Sequence, residues 1–354
     1  MDNSVSNITP VWTERLSPAE QVNQAMHRAI ILDSQTNPIL EVTGTERVDL
    51  LHRLSTNDLK GARVGNTIST SFLTEKGRMV DYVQILLRDS SLLILPSPKN
   101  EDGFLHWIEK FVIMEDVQVR SRSNDMLMLS LIGPESSSIL RKLFGSIPEV
   151  GAFLEHRVSD LPVILSRRSG PETERFDLIV DKERRSQLVE HVGRQGSGLC
   201  FMSDGAFDFY RIVRGIPRFG NEICDSFNPY EVGLSHSISY DKGCYVGQEV
   251  IARLDTYDKV HRRLMGIAFE NEPSKSTHRS RLYKANTEVG QLTNMSPISL
   301  RGIYYGLCVV RKEGVEVGDR VSIDDPNGGF LGTILALPMD PATGGSFTGG
   351  SANN

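Results

Sequence analysis

Residues Lys242-Gly243-Cys244-Tyr245-Val246-Gly247-Gln248-Glu249 hold the densest set of reactive side chains in the chain. A thiol, an ammonium, a phenol, an amide and a carboxylate fall within eight positions, spaced by two glycines. Val246, Val250 and Leu254 recur at i, i+4 and i+8, which predicts a helix starting near Tyr245 with Cys244 at its N-terminus. The free N–H groups and the dipole of a helix start favour an anion, and Lys242 adds a cation nearby. Both effects favour a thiolate, so Cys244 is the candidate reactive sulfur and Lys242 its candidate assistant. Gly247 allows another backbone or a ligand to come close. Gln248 and Glu249 offer an amide and a carboxylate to the edge of a heterocycle. The competing reading is a well-capped helix start around a buried cysteine, and the residue types alone leave the two open.

Arginines flank this run. Arg211, Arg214 and Arg218 precede it; Arg253, Arg262 and Arg263 follow it. One such cluster is usually a solvated face, whereas two beside one site can hold carboxylates such as a glutamate tail. Between them, Asn228, Pro229 and Glu231 are arranged as a cap, a first-turn proline and a capping-box acid.

Composition narrows the functions open to the chain. A net charge of −6 over 354 residues argues against a general nucleic-acid binder. The four cysteines, Cys200, Cys224, Cys244 and Cys308, form no CxxC pair and have no histidines at zinc-finger spacing, so neither a metal site nor a disulfide framework is expected. Residues 1–10 lack the basic and apolar regions of a secretory signal, and apolar runs such as 92–95 are too short to span a bilayer. The expected compartment is the cytoplasm. The loop 194–198 is glycine-rich but has no phosphate-loop pattern.

The elements that must position these residues follow from periodicity. Ser17, Pro18 and Glu20 announce a helix with Val22, Met26, Ala29 and Ile30 on its apolar face. A strand over 39–42 precedes a helix capped by Thr45, with Val48, Leu51 and Leu54 inward and Leu50 alongside. Strands are predicted over 68–73, 79–87 and 92–95, and Phe104, Trp107, Ile108 and Phe111 form the core stripe of a helix. A second set follows: strand 126–132, helix 134–144, strands 163–166 and 176–180, and a helix capped by Asp181 carrying Leu188, Val189 and Val192. After about residue 259 only strands remain, over 263–269, 281–284, 289–293, 304–311, 320–323 and 330–337, which suggests a small β-domain. The expected division is an α+β region over 17–258, a barrel over 259–340 and a disordered Gly/Ser/Asn-rich tail over 341–354.

The run 242–249 resembles the K-G-C-Y-x-G-Q-E signature of the YgfZ family, folate-binding relatives of the glycine cleavage T-protein, an aminomethyltransferase. The run 211–220 resembles the family's R-I-x-x-G-I-P-x-x-G, and Asn228-Pro229-Tyr230-Glu231 its N-P-x-E element, with Val250 to Arg253 continuing the signature. Val42-Thr43-Gly44 through Asn57-Asp58, the turn Lys76-Gly77-Arg78, and Gly290 to Thr293 before Ser296-Pro297 resemble further shared elements, so the likeness covers about 39–337. The resemblance implies two antiparallel-sheet α+β lobes and a C-terminal β-barrel around a central tetrahydrofolate cavity. It implies a tetrahydrofolate-dependent role in assembling or repairing iron–sulfur clusters of selected enzymes, including those that thiolate tRNA. The partners are then folate and the client enzymes or assembly proteins, with no direct nucleic-acid or membrane contact and the oligomeric state left open. Cys244 is the family's cysteine. Arg211, Arg218, Tyr245, Gln248, Glu249 and Arg253 stand as folate contacts.

The chain departs from the T-protein in two places. Of the T-protein's G-G-x-x-D-D, the stretch Lys76 to Tyr82 keeps only Asp81 as a folate-facing acid. In place of T-G-Y-T-G-E-x-G stands Ser169-Gly170-Pro171-Glu172-Thr173-Glu174, where Glu174 is the carboxylate for the pterin's paired N–H donors. Two other readings remain: aminomethyl transfer, and a non-catalytic folate-binding scaffold.

Overall fold

The computed structural model describes residues 16–33, 37–172, 174–196, 198–271, 279–324, 330–341 and 345–346. Helix α1 (Pro18–His27) carries the predicted capping box: Glu20 accepts from the Ser17 N–H at 2.7 Å and Ser17 Oγ accepts from the Glu20 N–H. It stops at His27, and Ile30, expected on its apolar face, opens strand β1 (Ile30–Asp33) instead. Then come β2 (Leu40–Thr43), α2 (Arg47–Leu54), β3 (Thr67–Leu73), β4 (Met79–Leu87), β5 (Leu92–Leu95), α3 (Glu101–Glu109) and β6 (Gln118–Ser121). The second set is β7 (Met126–Ile132), α4 (Ser136–Phe144), β8 (Ala152–Val158), β9 (Leu161–Arg167), β10 (Arg175–Asp181) and α5 (Arg185–Gln195).

Helices α6 (Asp204–Arg214) and α7 (Gln248–Thr256) lead into β11 (Arg262–Phe269), β12 (Arg281–Lys284), β13 (Thr287–Leu300), β14 (Ile303–Arg311), β15 (Arg320–Ile323) and β16 (Phe330–Leu335). A short pair, β17 (Met339–Asp340) and β18 (Gly345–Ser346), closes the list, so strand pairing reaches into the segment expected to be a disordered tail. The rest of that tail, apart from Pro341, lies outside the described residues.

The two α+β lobes repeat one plan. One sheet runs β3-β4-β5-β2-β6 and the other β8-β9-β10-β7-β1, all antiparallel. In each, the strand that opens the unit turns into a helix through a glycine beside the edge strand. A Cβ on Gly44 (φ +103°) would lie 2.0 Å from the Asp116 carbonyl oxygen, and one on Gly133 (φ +119°) 2.5 Å from that of Arg28. Two residues on, the Glu46 and Glu135 N–H groups donate to those same carbonyls. The second lobe therefore takes its edge strand from the N-terminus, before the first lobe begins, and is discontinuous in sequence.

The sheets meet face to face through Ile39, Leu86, Leu93, Leu95, Met128, Phe153, Ile164 and Ile179. Helices cover the outer faces. On the first lobe Phe72 meets Phe104 and Trp107 edge-on, with ring centres 4.9 and 5.6 Å apart, as the aromatic stripe predicted.

Two predicted caps are replaced. Thr45 does not cap α2: its N–H and hydroxyl both donate to the Asp116 carboxylate, at 2.9 and 2.7 Å, and the helix starts at Arg47. Asp181 precedes a short 3₁₀ turn and makes no side-chain capping bond. Helix α6, which the sequence reading passed over, carries the usual signals: Ser203 caps it and left-handed Gly215 ends it. Its buried face, including Phe209, Ile212 and Val213, joins α1 to the barrel. The barrel closes in the order β11-β14-β13-β12-β15-β16 around a core that includes Ile267, Leu292, Val310 and Ile334.

Candidate functional site

The signature run is first a piece of packing. Lys242 is 9% exposed, and its ammonium donates to the carbonyls of His52, Ser55 and Asn57 at 2.5, 2.6 and 2.8 Å. All three N–H donors are thus engaged at the C-terminal end of α2, where a cation suits the dipole. Burial pushes the Lys242 pKa down to about 8. The Tyr245 ring lies 5.1 Å from the same ammonium, and burial pushes the Tyr245 pKa up to about 12. A Cβ on Gly247 (φ +84°) would lie 2.7 Å from the Thr74 carbonyl oxygen and 3.3 Å from the Gly77 Cα. Gly247 therefore seats the Lys76-Gly77-Arg78 turn, and the close partner expected for it is protein backbone.

Two expectations for Cys244 are corrected by this geometry. The helix begins at Gln248 rather than near Tyr245, because Gly247 takes the left-handed conformation in front of it. Lys242 points into α2 rather than toward the sulfur. Cys244 is nevertheless the exposed cysteine; Cys200 and Cys308 are buried and Cys224 is half-buried. Glu249 and Arg253 lie exposed on α7, and Gln248 is half-buried.

Three of the six flanking arginines face internal carboxylates. Arg211 is 2% exposed; its Nε donates to Asp208 at 2.6 Å, and Arg218 donates to the same oxygen at 2.8 Å. Fully buried Glu222 accepts from the Arg218 N–H at 2.9 Å and the Thr293 hydroxyl at 2.5 Å, joining the Gly290–Thr293 element to the lobes. Arg262 forks onto Glu231 at 2.7 and 3.1 Å, and Arg263 donates to the Val315 carbonyl at 2.7 Å. Among the described residues, Arg211 Nη2 is buried without a hydrogen-bond partner. Asn228 and Glu231 make both bonds of a capping box, yet no α-helix follows, since left-handed Gly233 ends the turn.

Asp81 is sealed beneath the start of α3 with no exposed surface. It accepts from the Tyr82 N–H at 2.7 Å, the Ser97 N–H at 3.1 Å and Asn100 Nδ2 at 3.0 Å. Burial, opposed by these bonds, raises its pKa to about 6. Its neighbour Tyr82 faces the opposite side of the sheet, as strand alternation requires. There Tyr82 Oη lies 3.0 Å from His236 Nε2, with the rings edge to face, and His236 is exposed.

Beside this pair, Arg168 and Arg175 clamp Glu172 and Asp177. Arg168 donates to Asp177 at 2.7 Å and to Glu172 at 3.2 Å; Arg175 donates to Glu172 at 2.9 Å and to Asp177 at 3.2 Å. Burial alone would raise both carboxyl pKa values, but the two guanidiniums outweigh it and hold them below the usual range. Glu174 is exposed outside this cluster; the carboxylate held within it is Glu172. Sequence reasoning missed Tyr82, His236 and Glu172 as a group, because they lie in three separate segments and no local spacing links them.

Two sheet lobes of one plan and a closed barrel, joined around these polar residues, define a fold like that of the glycine cleavage T-protein. Over 95% of this chain and 92% of its own, the aminomethyltransferase T of the Bartonella henselae glycine cleavage system superposes with a TM-score of 0.76 at 16% identity. Residues 11–242 match the GCVT N-terminal domain, and the chain belongs to that family. It is 25% identical to a putative chloroplastic transferase of Arabidopsis thaliana, over 90% of this chain and 74% of the relative. It is also 25% identical to an aminomethyltransferase of Halalkalibacterium halodurans, over 85% of this chain and 83% of that protein.

Proposed function

We propose that the chain is a YgfZ-type protein that binds tetrahydrofolate where the lobes and barrel meet, and that it serves the assembly or repair of iron–sulfur clusters in client enzymes, tRNA-modifying ones among them. The observation that carries this reading is a contrast: the exposed sulfur, Cys244, stands on a firmly seated loop, while Asp81, the acid that aminomethyl transfer would need, has no exposed surface. The residues at the junction suit a folate. Arg211 Nη2 is a buried donor without a partner, fit for a ligand acceptor. Glu172 or Glu174 offers a carboxylate to the pterin's paired N–H groups. Arg218 and Arg253 offer cations to the glutamate tail, and Tyr245, Gln248 and Glu249 flank the sulfur. In this reading Lys242 positions the loop and Cys244 performs the sulfur chemistry. One thiol cannot supply the about four thiolates that a cluster takes, so the cluster belongs to the client.

The test is genetic and biochemical together. Deleting the gene lowers the activity of particular cluster enzymes; the wild-type gene restores it and Cys244→Ala does not. Full rescue by Cys244→Ala would remove the thiol from the mechanism. A second reading, aminomethyl transfer, is favoured by the aminomethyltransferase relatives. Robust methylene transfer from a lipoyl carrier to tetrahydrofolate by the purified protein would establish it in place of the first. Folate binding with no thiol-dependent activity would leave a folate-binding scaffold.

A further inference from the structure

One hydrogen-bonded chain of side chains crosses the junction. The Ser169 and Ser69 hydroxyls are 2.8 Å apart, Ser69 donates to Gln84 Oε1 at 2.9 Å, Gln84 Nε2 reaches Tyr82 Oη at 3.5 Å, and Tyr82 Oη meets His236 Nε2 at 3.0 Å. The chain thus ties the first lobe to the second and to the segment before α7.

Its direction is set by chemistry. Ser69, donating to the amide oxygen of Gln84, turns the amide nitrogen toward Tyr82. A phenol is the stronger donor and a neutral imidazole nitrogen the stronger acceptor, so Tyr82 donates to His236. Although the residue is exposed overall, its ring is desolvated where it packs against the second lobe, which lowers the His236 pKa and favours the neutral ring, and the Gly233 carbonyl bonds the ring as an acceptor, holding the imidazole proton on the other nitrogen. The ring stands close against the second lobe: a Cβ on Gly170 would lie 2.7 Å from His236 Nε2.

The single proton of Tyr82 is therefore committed to His236. With Gln84 donating to one lone pair, half-buried Tyr82 has one lone pair and no hydrogen left to offer a ligand. We propose that Tyr82, held as an obligate acceptor by His236, makes the site select reduced over oxidised pterins. This rests on the folate reading above and adds a specificity to it. A tetrahydropterin carries N–H donors at N5 and N8, where the oxidised ring has bare nitrogens whose lone pairs would oppose that of Tyr82. The N3–H and 2-amino donors are the same in every redox state, so a carboxylate reading that edge does not discriminate. A polar group left facing a like group in a binding site is where strong discrimination comes from.

Calorimetric titration of tetrahydrofolate, 7,8-dihydrofolate and folic acid, anaerobically, into the wild type, Tyr82→Phe and His236→Phe tests this. The wild type binds tetrahydrofolate at least about tenfold more tightly than folic acid. In Tyr82→Phe the two fall within about threefold of each other. His236→Phe frees the tyrosine proton for donation and moves the preference toward folic acid. Dihydrofolate, with a donor at N8 alone, follows tetrahydrofolate if N8 faces Tyr82 and folic acid if N5 does. Equal binding of all three by the wild type, or a preference that survives in Tyr82→Phe, overturns the selection while leaving the folate reading standing. Failure of the wild type to bind any of them overturns both.

Discussion

The loop 240–249 and the polar chain from Ser169 to His236 are built on opposite principles. In the loop, a contiguous motif supplies mostly packing: Lys242 fills three carbonyls, Tyr245 is buried, Gly247 admits the backbone of Thr74, and Cys244 alone of these is left exposed. In the chain, residues from four segments, none conspicuous in sequence, meet through their polar ends. A dense motif can thus mark the place that must be held still, while a polar cluster elsewhere is assembled by tertiary structure alone.

Breaking the salt-bridge cluster beside the chain has the largest expected effect. Arg175→Met leaves Asp177 and Glu172 short of a guanidinium in a buried setting and costs roughly 3–5 kcal/mol of stability, read from urea unfolding. On the loop side, Lys242→Met strips three carbonyls of their donor and costs roughly 1–3 kcal/mol. If it cost nothing, the seated-loop account would be wrong.

Asp81 sharpens the contrast through pH. Its folded pKa of about 6 lies above the ordinary 3.8, so between those values the folded state holds more protons than the unfolded one. Its contribution is therefore fully present below pH 3.8 and lost as pH rises through about 6. Thermal melts across that window fall less steeply with pH in Asp81→Asn than in the wild type; identical pH profiles would show that Asp81 is not buried as described. The smallest effect belongs to Cys244→Ala, an exposed site, where stability stays within about 0.5 kcal/mol of the wild type while client-enzyme rescue is lost.

Much of the fold was legible because it obeys local rules. The aromatic stripe of α3, the capping box of Ser17 and Glu20, and the short strands of the barrel all follow from periodicity and turn chemistry. Two of the errors share a cause: a side chain found a distant partner that the sequence does not display. Thr45 went to Asp116 and Lys242 to the end of α2. The candidate site was displayed by the sequence only in part. The signature pointed to Cys244 and to the loop, but the Tyr82–His236 contact spans 154 positions and belongs to tertiary structure alone. That Glu172 and not Glu174 is held in the buried cluster is settled only by its ion pairs with Arg168 and Arg175, which no sequence spacing displays.

The division of labour between loop and chain is tested most directly by titrating tetrahydrofolate into the wild type, Cys244→Ala and Tyr82→Phe. The account predicts that the wild type binds, that Cys244→Ala binds equally well, and that Tyr82→Phe binds about tenfold more weakly. A wild type that does not bind, or a loss of binding in Cys244→Ala with none in Tyr82→Phe, would contradict it.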